Sequence, residues 1–311
     1  MSNDLLTRRR APESIAAPSG EPSSTARRKQ LFGPSRGQRL SAHAVLMLLC
    51  IPALLPFFWM VTTSLKPDSQ IFATSSALTL SSLLPHPVKW SNYSGALHAI
   101  PFAVYLKNTV SLCLITVVGS VLSSAVVAYG FAKLEFRGKP ILFLIMISTM
   151  ALPAQVTMVP VFALFRSLGW YGTYLPLIVP AFFGTPFFIF LMTQFYRNLP
   201  IELVEAARID GAGEFRIFWQ VMMPLSIPVL VTCALFQFLW TWNDFFGPLL
   251  YINDASKYTL AYGLQQFLSA HGSEWSRLMA GSTLFVLPII VLFFCAQRTF
   301  IQGIATTGSK N

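Results

Sequence analysis

The sequence predicts an all-α polytopic membrane protein with six transmembrane helices, on the basis of three observations. Among its 311 residues, 54% are hydrophobic and only 11% are charged, whereas roughly 25% of the residues in a soluble domain are charged. Six apolar segments are each long enough to cross a bilayer, which requires about 20 residues. The Lys and Arg residues are distributed unevenly among the intervening segments, as in proteins that follow the positive-inside rule.

The membrane domain is predicted over residues 41–303, between two polar tails. Its spans are expected at about residues 44–63, 108–129, 141–165, 175–196, 225–250 and 278–301. Residues 1–40 are rich in Arg, Pro and Ser and poor in large apolar side chains, which predicts a disordered basic tail. Residues 304–311 form the second tail.

Small residues and helix breakers are frequent inside these spans. In the second span, Gly119 and Ser123, and likewise Ser120 and Ser124, have the small-xxx-small spacing that allows helices to approach closely. The third and fourth spans contain several prolines, and lipid tolerates such breaks only where other helices or a water-lined path satisfy the backbone. Two interpretations stay open here, a packed bundle and a set of helices that line a transport pathway.

The basic residues predict an N-in/C-in orientation. With the N-terminus inside, sixteen Lys and Arg residues would lie in the inner regions and five in the outer loops, with Lys107 at an outer boundary. Both tails are then cytoplasmic, and so are residues 198–224, between the fourth and fifth spans. The net charge of +10 therefore reflects orientation in a membrane and does not indicate a nucleic-acid partner.

Residues 198–224, hereafter the elbow segment, form a charged island between two apolar spans. The pattern predicts a helix with Asn198 as its cap and Pro200 at its first position, followed by a break at Gly211 and Gly213. A second amphipathic helix is predicted to end at Pro224. Its apolar stripe comprises Phe215, Phe218, Trp219 and Met222. By composition alone this is a helical connection, and a rigid pair of helices with an apolar surface requires something to cover it.

The elbow segment contains Glu205-Ala206-Ala207, then Gly211 after three residues, and finally the hydrophobic-Pro pair Met223-Pro224. This pattern resembles the hallmark of permease subunits of ATP-binding-cassette importers. The resemblance implies that the segment is a coupling helix seated in a cleft of a partner ATPase, with Glu205 serving docking and Gly211 making the turn. The docking residues that it implies are Glu205, Ala206, Ala207, Asp210, Gly211, Gly213, Phe215, Phe218 and Pro224.

Other stretches resemble the smaller, MalG-like permease of maltose-type sugar importers. They are residues 64–67, 242–244, 258–267 and 297–303. The resemblance implies a binding-protein-dependent carbohydrate importer in a bacterial cytoplasmic membrane, with maltodextrin, trehalose or a similar oligosaccharide as cargo. The sequence does not name the sugar, and glycerol phosphodiesters stay open as well. It also implies a second homologous permease, a pair of cytoplasmic ATPase subunits and an extracytoplasmic sugar-binding protein as partners. The chain itself would be a non-catalytic subunit without cofactor or metal, since ATP and Mg would be bound by the ATPase.

Two further groups of residues are candidates for contact with cargo or binding protein. Trp240, Trp242, Asn243 and Asp244 are candidates for the substrate pathway, because a carboxylate inside a span is costly and usually functional. The alternative is an interfacial carboxylate in an aromatic belt. By resemblance, the outer loop residues Asn253, Asp254, Ala255 and Ser256 are a candidate contact with the binding protein, and the alternative is a plain hairpin.

A stand-alone secondary transporter or channel is the competing function. Such proteins commonly show internal repeats and charges at the bilayer midplane, and the sequence shows neither an internal repeat nor a deep charge pair. A membrane enzyme is disfavoured because no nucleophile–base pair or metal-ligand spacing is evident.

Overall fold

The computed structural model of the protein describes residues 36–72, 83–269 and 274–308. These residues are mostly helical, and none of them lies in a strand. The chain divides into two compact units, Met1–Pro56 and Phe57–Asn311. In the first unit every side chain that the structure describes is exposed, as expected for an apolar helix that faces lipid.

The helices follow one another with short connections. In chain order they are α1 (Arg36–Ser64), α2 (Asp68–Ile71), α3 (Ser91–Ala99), α4 (Phe102–Lys133), α5 (Lys139–Thr149), α6 (Ala154–Ser167), α7 (Leu175–Ile178), α8 (Pro186–Asn198), α9 (Glu202–Ile209), α10 (Glu214–Ile217), α11 (Met223–Leu225), α12 (Ile227–Trp242), α13 (Phe246–Tyr251), α14 (Leu260–Gly263), α15 (Gln266–Ser269) and α16 (Trp275–Gly308). A 3₁₀ turn, Val179–Phe183, joins α7 to α8, and a π-helical turn, Phe218–Met222, joins α10 to α11. A second 3₁₀ turn is Ala255–Lys257.

Four to six of these helical stretches are candidate membrane spans. Gly37–Ser64, Phe102–Lys133, Leu175–Asn198 and Trp275–Gln297 are each long and apolar enough. Two bent pairs would add one span each: α5 with α6, bent by 98°, and Glu214–Leu225 with α12, bent by 79°. The predicted helical membrane fold is therefore confirmed, with between four and six spans.

The third predicted span, residues 141–165, is not one continuous helix. It consists of α5 and α6, which meet at 98° around Pro153. Proline lacks an N–H and disfavours the helical conformation in the residue before it, so α5 ends before Pro153 and α6 begins after it. Pro160, by contrast, lies within α6 without ending it.

Other helix boundaries lie beyond the predicted ones. Helix α1 begins at Arg36, inside the predicted tail, and residues 1–35 lie outside the described residues. Helix α4 extends the predicted second span at both ends. Helix α16 continues to Gly308, into the predicted second tail, and the fifth predicted span ends as α12 at Trp242, before α13 begins at Phe246.

Helix α4 is the central helix of the second unit, and both hydrophobic clusters there include residues from it. One cluster surrounds Tyr129, Phe188 and Met192, and the other surrounds Tyr105 and Leu260. The first joins α4 to α8, the elbow segment and α12, and the second joins α4 to α3, α14, α15 and α16. A movement of α4 would therefore displace residues of both hydrophobic clusters.

The small-residue face of α4 packs as predicted. A side chain at Gly119 would place its Cβ 2.7 Å from the Phe182 ring, so a larger residue would force that ring to move away from α4. The Ser120 hydroxyl lies 2.7 Å from that of Thr185, and the Ser124 hydroxyl accepts a hydrogen bond from the Thr185 N–H at 3.0 Å. The Ser124 hydroxyl thus satisfies a backbone N–H where the 3₁₀ turn ends and α8 begins, and the Ser120 hydroxyl contacts the side chain of the same residue.

Candidate functional site

The elbow segment is a helix, a left-handed glycine and a second helix, as predicted. Helix α9 ends at Ile209 with Asp210 as its C-cap, and Gly211 has φ +78°, the left-handed region that favours glycine. The Gly211 N–H donates to the Arg208 carbonyl, and the Ala212 N–H donates to the Ala207 carbonyl, both at 3.0 Å. This pair of bonds is the Schellman motif, which satisfies the last carbonyls of a helix and fixes the direction of the chain leaving it.

Several details of the predicted elbow differ in the structure. Asn198 is the last residue of α8 and does not cap α9, and Pro200 lies outside both helices. Gly213 has φ −72° and precedes α10 as its cap, so it makes no left-handed turn. Pro224 lies inside α11 and does not end it, because its missing N–H falls in the first turn of that helix, where no intrahelical partner is needed.

One face of the elbow segment is buried in the protein's own core. Val204, Ile217 and Met222 are fully buried, and Phe218 packs against the Tyr129 ring at a centroid distance of 5.5 Å. Phe218 is only 4% exposed, so its predicted role in contacting an ATPase is not supported by its position. It holds the elbow onto α4 instead.

The opposite face presents apolar side chains to the outside. Ile209 is 86% exposed and Phe215 is 78% exposed, one on each side of the Gly211 turn. Glu205 and Asp210 are exposed beside them. The remaining predicted docking residues are also exposed or half-buried: Ala206, Ala207, Gly211, Gly213 and Pro224. An apolar pair with acidic neighbours on a rigid turn is a surface suited to a protein partner.

Ile209 was not among the residues predicted from the sequence. It is one of the three residues that the motif leaves unspecified between Ala207 and Gly211, and it lies off the buried stripe of α9. A helical projection could have identified it, because a residue five positions after the buried Val204 lies on the far side of the helix.

A hydrogen-bonded triad links the two helices of the elbow to α4. The Arg208 guanidinium donates from Nε to Glu214 Oε1 at 2.8 Å, and the Tyr129 hydroxyl donates to Glu214 Oε2 at 2.5 Å. The hydrogen bond with Glu214 raises the pKa of Arg208, which remains charged at any physiological pH. Tyr129 is buried at 5% exposure, whereas the Arg208 and Glu214 side chains are 41% and 43% exposed. The triad therefore connects the exposed surface of the elbow with the core.

Two further contacts hold the ends of the elbow segment. The Lys133 ammonium donates to the Leu199 carbonyl at 2.8 Å, four residues along α4 from Tyr129. At the other end, the hydroxyls of Tyr196 and Ser226 lie 3.4 Å apart, which connects α8 to the start of α12. The elbow is thus attached to α4 and α8 at several points.

A second candidate site is a cavity of about 270 Å³ beside α12. It is lined by Leu112, Leu177, Gln237, Trp240, Thr241, Asp244, Pro248 and Thr259. Asp244 Oδ1 accepts the Gly247 N–H at 2.9 Å, and Gln237 Nε2 donates to Thr241 Oγ1 at 3.0 Å. The predicted pathway residues Trp240 and Asp244 therefore meet in one cavity.

The other two predicted pathway residues do not line this cavity. Trp242 is only 1% exposed, and its indole N–H donates to the Phe285 carbonyl at 3.2 Å, which makes it a core residue between α12 and α16. Asn243 donates to the Leu239 carbonyl at 2.8 Å and faces the outside. Their separation follows from the helical period, since neighbouring residues point about 100° apart.

The predicted contact loop, Asn253 to Ser256, is exposed and firmly held. Asp254 Oδ1 accepts bonds from the Ser256 N–H and hydroxyl at 2.9 and 2.8 Å, and these bonds lower the pKa of Asp254. Asn108 on α4 donates to the Ser256 carbonyl at 2.9 Å, and Lys257 donates to the Gly172 carbonyl at 2.9 Å. The loop is therefore presented in a fixed conformation next to one end of α4.

Comparison with known protein families gives one family for most of the described chain. Residues 120–306 match the family described as the binding-protein-dependent transport system inner membrane component. The matched region contains the elbow segment, the cavity residues of α12 and the exposed loop.

Individual relatives agree along nearly the whole chain. The probable ABC transporter permease protein YurM of Bacillus subtilis is 34% identical over 91% of this chain and 91% of its own length. The arabinooligosaccharides transport system permease protein AraQ of the same organism is 32% identical over 88% of this chain and 96% of its own. A solved chain of a bacterial ABC transporter involved in the import of the acidic polysaccharide alginate has a TM-score of 0.72 and 25% identity, and the match covers 86% of this chain and 99% of that one.

Proposed function

The chain belongs to the family of binding-protein-dependent transport system inner membrane components, ABC-transporter permeases of the bacterial membrane, and from this premise we propose how it works. We propose that it forms one half of the translocation pathway of a carbohydrate importer. It couples that pathway to a pair of cytoplasmic ATPase subunits through the elbow segment. It catalyses no covalent step, and ATP and Mg are bound by the ATPase.

The proposed topology has six spans with both termini in the cytoplasm. Six spans follow if α5 and α6 together make one span and α12 makes another, with the first arm of the second bent pair, Glu214–Leu225, left to the elbow segment. The excess of Lys and Arg in the tails and in the loops that would be internal supports the orientation. In this topology the elbow segment lies in the cytoplasm, where ATP is available.

The observation that carries the proposal is the two-faced elbow. Ile209 and Phe215 stand out on one face, while Val204, Ile217 and Phe218 are buried on the other. A partner that binds the exposed pair would push against a segment already attached to the core. The acidic side chains of Glu205 and Asp210 next to the apolar pair give the surface a polar rim.

Helix α4 is the element that would carry the movement into the membrane. It holds the elbow through Tyr129 and Lys133, and at its other end Asn108 holds the exposed loop that contains Ser256. We propose that this loop contacts a loaded sugar-binding protein and that a second, homologous permease completes the pathway. One rigid helix then joins the ATPase side to the binding-protein side.

The cargo class is proposed from the relatives. AraQ belongs to a system for arabinooligosaccharides, and the alginate transporter imports an acidic polysaccharide, so a carbohydrate is the class that these two share. Maltodextrins and trehalose belong to this class without being favoured over other sugars. The relatives disagree about the charge of the cargo.

Docking at the elbow can be tested with Phe215→Ser. The variant removes an aromatic anchor from the proposed interface, and loss of an anchor costs about 1–2 kcal/mol or more, so the ATPase should co-purify about tenfold less. Phe72→Ser is the matched control, because Phe72 is also exposed, at 59%, and belongs to neither proposed site. Equal recovery of the ATPase with Phe215→Ser and with the unaltered chain would contradict docking at this surface.

A further inference from the structure

The cavity beside α12 contains a carboxylate whose position the backbone dictates. A Cβ on Gly247 would lie 2.3 Å from Asp244 Oδ2 and 2.8 Å from Leu177 Cδ2, so any larger residue there would displace the Asp244 carboxylate from its observed position. The other carboxylate oxygen accepts the Gly247 N–H at 2.9 Å. Asp244 is thus held in one orientation at the wall of the cavity before any ligand arrives.

The remaining lining supplies mixed hydrogen-bonding groups and an aromatic surface. The amide of Gln237 is oriented by its bond to Thr241, whose hydroxyl lies 2.9 Å from that of Thr116. Trp240 stacks on Phe188 with ring centroids 5.0 Å apart and an angle of 9°, and 47% of the tryptophan stays exposed. The wall therefore offers acceptors, an amide and part of a flat ring within one small space.

Asp244 is the one acidic residue among those that line this cavity. A carboxylate accepts hydrogen bonds from hydroxyl donors and, when it is ionised, repels phosphates and other carboxylates. None of the residues that line the cavity is Lys or Arg. A cavity built for an anion would need such a residue, because burying an unpaired charge is costly.

We propose that this cavity is a subsite for a single neutral sugar ring in the translocation pathway, and that Asp244 selects against anionic cargo. The hydroxyls of the ring would donate to Asp244, and its C–H face would pack on Trp240. The volume of about 270 Å³ lies below the range of roughly 300–1,000 Å³ typical of sites for drug-sized ligands, which suits one ring and not a whole oligosaccharide. The inference rests on the proposed function and adds the charge of the cargo to it.

The test uses the whole complex with its binding protein. The purified binding protein is first offered a mixture of neutral oligosaccharides together with uronic-acid oligosaccharides and glycerol phosphates. We expect it to retain a neutral compound, which then serves as the probe for ATP-driven uptake in proteoliposomes. Retention of an anionic compound, or of no neutral compound, overturns the proposal.

Asp244→Asn then tests the subsite itself. Asparagine keeps a carbonyl oxygen for the Gly247 N–H, so the turn is preserved while the charge is lost. A hydrogen bond to a charged group is worth at least a tenfold change in binding, so uptake of the neutral probe should fall about tenfold. Glu135→Gln is the matched control, because its carboxylate is 89% exposed in a loop away from the cavity.

Gln237→Met is a second variant of nearly equal length, and we expect a loss of uptake of several fold. Co-purification of the ATPase should be unchanged in both variants, which separates this subsite from docking. Normal uptake with both Asp244→Asn and Gln237→Met overturns the subsite and leaves the permease function standing. Failure of the unaltered chain to support ATP-dependent uptake would instead refute the proposed function.

Discussion

Removing one hydroxyl group, in Tyr129→Phe, should uncouple ATP hydrolysis from transport. The Tyr129 hydroxyl is the part of the Tyr129–Glu214–Arg208 triad that reaches from α4 to the elbow. Phenylalanine keeps the ring, and with it the packing on Phe218 at 5.5 Å. The change therefore isolates the hydrogen bond from the hydrophobic contact.

The magnitude follows from the exposure of the three side chains. A hydrogen bond to a charged group contributes about 1.5–3 kcal/mol, and the lower value applies because water can reach Glu214, whose side chain is 43% exposed. The Arg208–Glu214 ion pair is exposed on both sides and contributes about 0.5 kcal/mol. Tyr129 thus contributes the larger share of the connection. Loss of the hydrogen bond between Tyr129 and Glu214 should raise the population of the detached elbow about tenfold, since 1.4 kcal/mol corresponds to a factor of ten.

The assay measures cargo transported per ATP hydrolysed by the complex in proteoliposomes. We expect this ratio to fall several fold in Tyr129→Phe while the ATPase still co-purifies, because Ile209 and Phe215 are unchanged. Tyr93→Phe is the matched control: the Tyr93 hydroxyl lies 2.8 Å from that of Ser64, beside the other hydrophobic cluster. A wild-type ratio in Tyr129→Phe, or an equal fall in Tyr93→Phe, would refute the connecting role of the triad.

Two glycine substitutions and their controls give further tests. Gly211→Val should destabilise the turn by about 1–2 kcal/mol, because a β-branched residue is strained at φ +78°. It should lower transport, while the amount of the chain recovered in the membrane stays unchanged. Gly213→Ala is its control, with φ −72° and open space around the position, and near-normal transport is expected. Gly119→Ala should lower the melting temperature of the complex, because the new Cβ would lie 2.7 Å from Phe182, whereas Gly130→Ala on the same helix meets nothing within 4 Å. Transport by Gly211→Val equal to that of its control, or equal melting temperatures for the α4 pair, would contradict these explanations.

Local patterns predicted the parts of the site that are locally determined. The Gly211 turn was predicted because a left-handed residue after an amphipathic helix favours glycine, and the Schellman bonds involve only residues 207–212. The same holds for the small-residue face of α4, since the spacing of Gly119 and its neighbours is itself the condition for close approach. Such features depend on a few consecutive turns of one helix.

The burial of the second elbow helix could not be predicted in this way. In a regular α-helix, residues three apart lie on the same face, so Phe218 would be exposed together with Phe215. Phe218 is instead 4% exposed, whereas Phe215 is 78% exposed. The π-helical turn Phe218–Met222 widens the helix, and the core around Tyr129 decides which side chains enter it. Which face is covered depends on the neighbouring helices and not on the period.

By itself, the sequence determined that the chain is helical, apolar and membrane-embedded, and that it carries a glycine elbow matching importer permeases. Composition and short-range periodicity are sufficient for that, because a helix in lipid satisfies its own backbone. Only the tertiary structure decided that Tyr129 meets Glu214, 85 residues away, and that Asp244 shares a cavity with Leu112 and Thr259. Those contacts depend on how separate helices pack, and no single stretch of the chain contains that information.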